Sequence, residues 1–303
     1  IVYRSTVLNS FARTARHLDR TADRASQGLE RIAAWGGVVA AGLLIAGGNA
    51  RLAFGEAGLA KALASGLSDD GGLVCRCPQN QLEAILLLSI VRNAYDSRQL
   101  PVPVFLQDAL AASVPAMLGV CAGDGGLSSW QGSLPLSADA VRAVVTGSAL
   151  RVRPLRQARD WGYQRLAAKD TVVILDAAPP PASRTTRMGC ASTLALEVSD
   201  GKRRLIVNCG GARGTGPHLP ASLAEGLRTT AAHSTLTLAD SNSTAVLPDG
   251  SLGKGVNEVE IDRTNSDAAS TLEGSHDGYV RRHGFRHSRR IALSSDGREL
   301  QGE

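Results

Sequence analysis

Apolar residues recur at helical spacing through the first half of the chain. Arg13 to Ile32 alternates Arg/Asp positions with Ala/Leu, and Leu52 to Leu67 is rich in Ala and Leu between glycines. Gln81 to Asn93 carries Leu82, Ile85, Leu86, Ile90 and Val91 at i, i+3, i+4 and neighbouring positions, the stripe of a helix with one buried face. Leu106 to Leu118 repeats the pattern after the stop signal of Pro101 and Pro103. The longest apolar run, Trp35 to Gly48, is short of the roughly 20 residues that span a bilayer and predicts a core helix. Helices joined by Gly or Pro turns, with no strand runs between them, predict antiparallel helical hairpins.

After about residue 160 the period becomes two. The predicted strands are Tyr163–Leu166, Thr171–Asp176, Ser192–Val198, Arg203–Asn208, Ser234–Ala239, Val256–Ile261, Ala269–Glu273, Gly278–His283 and Arg289–Leu293. Gly, Pro, Asp and Ser clusters separate them, as in Ala178-Pro-Pro-Pro181 and Ser199-Asp-Gly201. Short strands in this number read as an antiparallel β-sandwich. The expected fold is therefore multidomain α plus β, with a helical domain over residues 1–147 and a sandwich over 148–303. The Arg-rich segment Ala149–Trp161 is expected to lie across the seam.

A length of 303 residues with 43% hydrophobic and 20% charged positions excludes disorder, collagen and disulfide-stapled miniproteins. Five cysteines (Cys75, Cys77, Cys121, Cys190, Cys209) form no recognisable framework, so reduced thiols are expected. The start at Ile1, inside a helix-like pattern, reads as a piece of a longer protein, cut short at both ends. Charge narrows the partners. The net charge is +5, and His276–Arg290 alone holds five arginines against Asp277, together with His276, His283 and His287. That segment is either an edge strand decorated against aggregation or a cationic groove for a polyanion. Tyr279 and Phe285 interleave with the charges as a sugar platform would. A modest net charge and 4% aromatics argue against nucleic acid as the partner.

Several strings, taken in order, resemble the heparinase II/III-like family. Asp70-Gly71-Gly72 followed by Pro78 and a Gln-Leu-Glu helix is similar to its helical domain. Tyr163-Gln-Arg-Leu166 leads into Val172-Val-Ile-Leu-Asp176. Ser192 to Gly201 and then Arg204 to Gly210 resemble its central β-hairpin, Arg228 with Ala232-His233-Ser234-Thr235 its Arg…Ala-His-Asn/Ser-Thr signature, and His276-Asp277-Gly278-Tyr279 with His287-Ser288-Arg289-Arg290 its next paired strands.

The resemblance implies an incomplete (α/α) toroid followed by an antiparallel β-sandwich, and β-elimination on a polysaccharide that contains uronic acid. That chemistry needs a group that neutralises the uronate carboxylate, because the adjacent C–H is a very weak acid until it does. It also needs a base for that proton and an acid for the departing glycosidic oxygen. On this sequence the candidate catalytic set is His233, Arg228, Tyr163 and Tyr279, with Arg228 clamping the carboxylate and the two tyrosines as candidate replacements for the missing general base or acid. His276, Arg281, Arg282, Arg286 and Asn80 would bind substrate in a crevice between helices and sheets. A structural zinc would fall to Cys190, Asn208 and His233.

The sequence departs from the family pattern at three places. Asn80 stands where active members carry Tyr, Met188-Gly-Cys190-Ala-Ser192 where they carry His-x-His-x-Asp, and Asn208 at the zinc Asp. Two readings stay open: a lyase, or a relative that binds acidic polysaccharide without cleaving it. For individual residues the structural alternatives also stand, a buried His bonded to backbone for His233 and packed tyrosines for Tyr163 and Tyr279. The family implies a periplasmic or envelope location, with a cytoplasmic one as the alternative.

Overall fold

The computed structural model describes residues 2–212 and 219–303. Six helices come first: α1 (Val2–Thr21), α2 (Leu29–Leu44), α3 (Asn49–Gly66), α4 (Pro78–Ser97), α5 (Val104–Gly119) and α6 (Ala138–Gly147). The stretch expected as one helix over Arg13–Ile32 is two. After α1 the chain makes a single 3-10 turn, and Gly28 takes φ 100°, which a right-handed helix cannot continue through. In α2 the buried residues Ile32, Trp35, Val38, Val39 and Leu43 form one stripe, and the helix packs on α3 and α4.

Two antiparallel sheets follow. The first orders β1 (Gln157–Ala158), β2 (Tyr163–Ala168), β3 (Thr171–Asp176), β4 (Leu196–Asp200) and β5 (Arg203–Ile206) as in the chain. The second does the same with β6 (Val259–Asn265), β7 (Ala269–His276), β8 (His287–Ser294) and β9 (Leu300–Gly302). Short helices α7 (Ala221–Gly226) and α8 (Val280–His283) interrupt the β half.

Strand β3 shows how the layers stack. All six of its residues are buried, and alternate side chains go to opposite faces. Val173 and Leu175 join Leu166, Leu272, Ile291 and Leu293 between the sheets. Val172 and Ile174 face the other way and share a core with Trp130, Trp161, Tyr163 and the helices. The order is helices, first sheet, second sheet.

The join between helices and sheet is close. A Cβ on Gly72 would sit 1.9 Å from Trp161 Cγ, so only glycine fits beneath that ring. Next to it, Asp70 Oδ2 accepts from the backbone N–H groups of Asp160 (2.9 Å) and Trp161 (3.1 Å). The Asp-Gly-Gly string is thus a clamp on a turn some 90 residues away.

Three predicted strands change. Ser192–Val198 becomes a strand only from Leu196. Ser234–Ala239 is not a strand, because Ala239 and Asp240 both take positive φ (47° and 51°) and close a turn bridged from Leu238 to Ser241. Gly278–His283 alternates like a strand but folds into the corner between β7 and β8, with α8 ended by Gly284 at φ 78°. The strands β1 and β9 were not expected.

Candidate functional site

At the seam of the two halves lies a buried ionic network. Arg76, itself at φ 55°, is 5% exposed. Its guanidinium donates to the carbonyls of Trp161 (2.7 Å), Gly162 (2.7 Å), Pro179 (2.7 Å) and Ala178 (3.3 Å), and to Asp176 Oδ1 (2.5 Å). Asp176 Oδ2 accepts from Gln131 Nε2 (2.9 Å) and Ser192 Oγ (2.6 Å). Sequence reasoning missed Arg76 and Gln131. The available signal was an arginine set between two cysteines in an apolar context, where a charge must be paired.

Tyr163 belongs to this network. Its hydroxyl donates to Arg76 O at 2.7 Å, its ring lies under the guanidinium, and burial pushes its pKa well above the ordinary phenol value. A phenol in that setting has no path to a substrate proton, so Tyr163 holds the seam.

Arg228 and His233 sit together beyond β5. Arg228 Nε and Nη2 both donate to Gly189 O (2.9 and 2.7 Å), which spends the fork on a loop carbonyl. His233 is 6% exposed. Its Nδ1 lies 2.8 Å from Thr229 O, and since a carbonyl only accepts, the proton is on Nδ1. Its Nε2 is then a bare acceptor, buried and without a partner among the described residues. Burial lowers its pKa, so the ring is neutral.

The zinc expectation does not fit these residues. Asn208 Oδ1 accepts from Ser234 N (2.7 Å) while Nδ2 donates to Leu196 O (3.2 Å), so both of its polar atoms serve the backbone. Burial pushes the Cys190 thiol up to about 12, which keeps it protonated. Among the described residues no three His, Cys, Asp or Glu side chains are grouped to hold a metal.

The third cluster lies at the β7–β8 corner. His276 is fully buried and not open to substrate. Its Nδ1 accepts from Gly278 N (3.1 Å), so Nε2 carries the proton and donates to His287 Nδ1 (3.1 Å). Among the described residues His276 makes no hydrogen bond to the neighbouring Asp277 side chain. Asp277 Oδ1 instead accepts from the N–H groups of Asn257 (2.9 Å) and Glu258 (3.1 Å), and burial followed by His287 lowers His276 to about 4. Tyr279 is also buried and donates its hydroxyl to Leu236 O at 2.6 Å.

The arginines of the corner divide. Arg286 lies 3.6 Å from Glu258 and 3.7 Å from Glu260, so its charge is matched. Arg281 and Arg282 are exposed on α8 and line a groove of about 930 Å³. Every residue lining that groove lies between 240 and 282, so its walls belong to the β half and not to a helix–sheet crevice. Asn80 is elsewhere, half-buried in α4 with Nδ2 3.5 Å from Cys75 Sγ. The expected catalytic and binding residues therefore do not converge on one cavity.

Comparison with known proteins gives the same outline. The family described as Heparinase II/III-like, C-terminal, matches residues 150–303. FtsZ-localized protein C of Caulobacter vibrioides is 29% identical over 311 residues, covering 96% of this chain and 50% of that protein. A mutant of the heparan sulfate lyase HepC from Pedobacter heparinus superposes with a TM-score of 0.72 at 16% identity, over 97% of this chain and 48% of that one. A heparinase III structure gives 0.71 at 12% identity, over 96% and 49%. At such identities the structural likeness shows the fold alone, an (α/α) toroid with an antiparallel β-sandwich. The chain spans about half the length of these relatives. Among the described residues no helix is long and apolar enough to cross a membrane.

Proposed function

Because the chain belongs to the heparinase II/III-like family, we propose that it binds an acidic, uronic-acid-containing polysaccharide of the bacterial cell envelope on the lyase fold without cleaving it. The observation that carries this reading is the fate of the two candidate tyrosines. Both hydroxyls are buried and donate to main-chain carbonyls, Tyr163 to Arg76 and Tyr279 to Leu236. β-Elimination needs a group that can take the proton next to the carboxylate and another that can protonate the leaving oxygen. A hydroxyl held in the interior can do neither. Arg228, the candidate carboxylate clamp, is likewise occupied by Gly189 O.

One observation favours the lyase as a second reading. The His233 ring is neutral, and its Nε2, buried but with no hydrogen-bond partner among the described residues, is in the basic form that proton abstraction would use. Incubation with a panel of uronate polymers separates the two. Binding with no rise in the ultraviolet absorbance of an unsaturated product is expected. An accumulating signal that His233→Gln abolishes would establish the lyase instead.

A further inference from the structure

The groove beside α8 is built from three loops that approach closely. A Cβ on Gly255 would lie 2.2 Å from Thr244 Cα, and one on Gly278 would lie 2.6 Å from Ser243 O, so glycine is required where these loops meet. The floor is tied down by polar bonds. Asn242 Oδ1 accepts from Thr230 N (2.9 Å), and Ser241 Oγ lies 2.9 Å from His283 Nε2. The rim is the turn at Ala239 and Asp240, two successive non-glycine residues at positive φ. Such strain persists only where the surroundings impose it.

The charges on this scaffold are of both signs. Lys254, Arg281 and Arg282 are exposed in the groove and have no ionic partner among the described residues. They contrast with Arg286 next door, which is matched by two glutamates. The Asp240 carboxylate is exposed in the same groove and has no side-chain partner among the described residues. A site for a bare phosphate polymer has no use for a carboxylate in its wall, since like charge opposes the ligand. A sugar chain with carboxylates uses both kinds of group. Its acidic substituents pair with guanidinium forks, and its ring hydroxyls donate to an aspartate.

We propose that this groove is where the acidic polysaccharide binds, with Arg281, Arg282 and Lys254 on the uronate carboxylates and Asp240 accepting from ring hydroxyls. This rests on the polysaccharide reading above and moves its site from the helix–sheet crevice to the corner between β7 and β8.

The test measures binding of polygalacturonate, alginate and heparan sulfate, with polyphosphate of matched charge as control. The wild-type chain is expected to prefer a uronate polymer, with affinity falling as salt is raised. Arg281→Ala/Arg282→Ala, two exposed changes on a short surface helix, is expected to weaken that binding by at least about tenfold while leaving the unfolding midpoint unchanged. Asp240→Asn keeps a residue tolerant of positive φ; it is expected to weaken uronate binding and strengthen polyphosphate binding. Uronate binding that survives the double arginine change intact overturns the location and leaves the polysaccharide reading standing. Polyphosphate bound as tightly as any uronate overturns the sugar assignment of the groove. No binding to any uronate polymer overturns both readings.

Discussion

Arg76 shows what one residue can hold together. It comes from the turn before α4, yet four of its partners are main-chain carbonyls at the far side of the seam and the fifth is the Asp176 carboxylate. Removing one member of a buried, fully hydrogen-bonded pair leaves the other charge stranded, at a cost of about 3–5 kcal/mol. Arg76→Ala and Asp176→Ala should each lose stability of that order in urea unfolding, and the double variant should lose less than the sum of the two. Equal additive losses would show that the pair is not coupled. His276 and His287 make a different residue-scale case. Burial lowers both to about 4, so each ring is neutral with one N–H of its own, and the His276 N–H bridges to His287. Histidine in the unfolded chain titrates near 6.5. Above that pH neither state takes up protons at these sites, so the pair contributes no slope. Below it the unfolded chain binds protons that the folded chain refuses until about pH 4, so stability falls across that window. Melting temperatures measured from pH 7.5 to 4.5 should fall, and a His276→Gln/His287→Gln variant should fall less steeply. An identical slope in the variant would remove the pair from the account.

At the scale of elements, the stored strain of the groove rim is open to direct measurement. Ala239 sits at φ 47°, where a Cβ is unfavourable and glycine is not. Ala239→Gly should therefore raise stability, by about 0.5–1 kcal/mol from relief of that conformation, less the added freedom of the unfolded chain. A loss of stability would mean that the alanine methyl makes packing worth more than the strain. The same turn explains a limit of reading the sequence. Ser234–Ala239 alternates as a strand should, but alternation reports only which positions are apolar, and Leu236 there is 45% exposed. Helices with a full buried stripe, such as α2 and α4, were readable because many residues repeat the same signal. Strand β3 was readable as an unbroken apolar run because both of its faces are covered. The corner Gly278–His283 was not, since its conformation depends on Gly284 and on packing of Gly278 against Ser243, contacts between distant segments that no local period encodes. The candidate site suffered most for the same reason. Residue type marked Tyr163, Tyr279 and Arg228 as competent, whereas the carbonyls that occupy them come from Arg76, Leu236 and Gly189.

For the whole molecule, the shared core decides how the halves behave. The chain changes period near residue 150, and helices and sheets could on that evidence unfold as two units. The packing argues otherwise. One continuous core joins Leu59, Leu88 and Met117 of the helices to Trp161, Tyr163, Val172 and Ile174 of the first sheet. The Arg76–Asp176 pair and the Asp70 clamp cross the same seam. Separating the halves would expose the apolar face of β3 at roughly 25 cal/mol per Å² and strand a buried charge on each side. Neither half is then stable alone to a useful degree, and unfolding should be a single cooperative event. Far-ultraviolet circular dichroism follows the helices, while tryptophan fluorescence follows Trp130 and Trp161 at the seam as well as Trp35 in α2. The two signals are expected to give coincident urea transitions. Gly72→Ala, which forces a methyl into the Trp161 ring, should shift both together to lower urea. A fluorescence transition that moves while the helical signal stays put would show two independently folding domains, with the seam a mere contact between them.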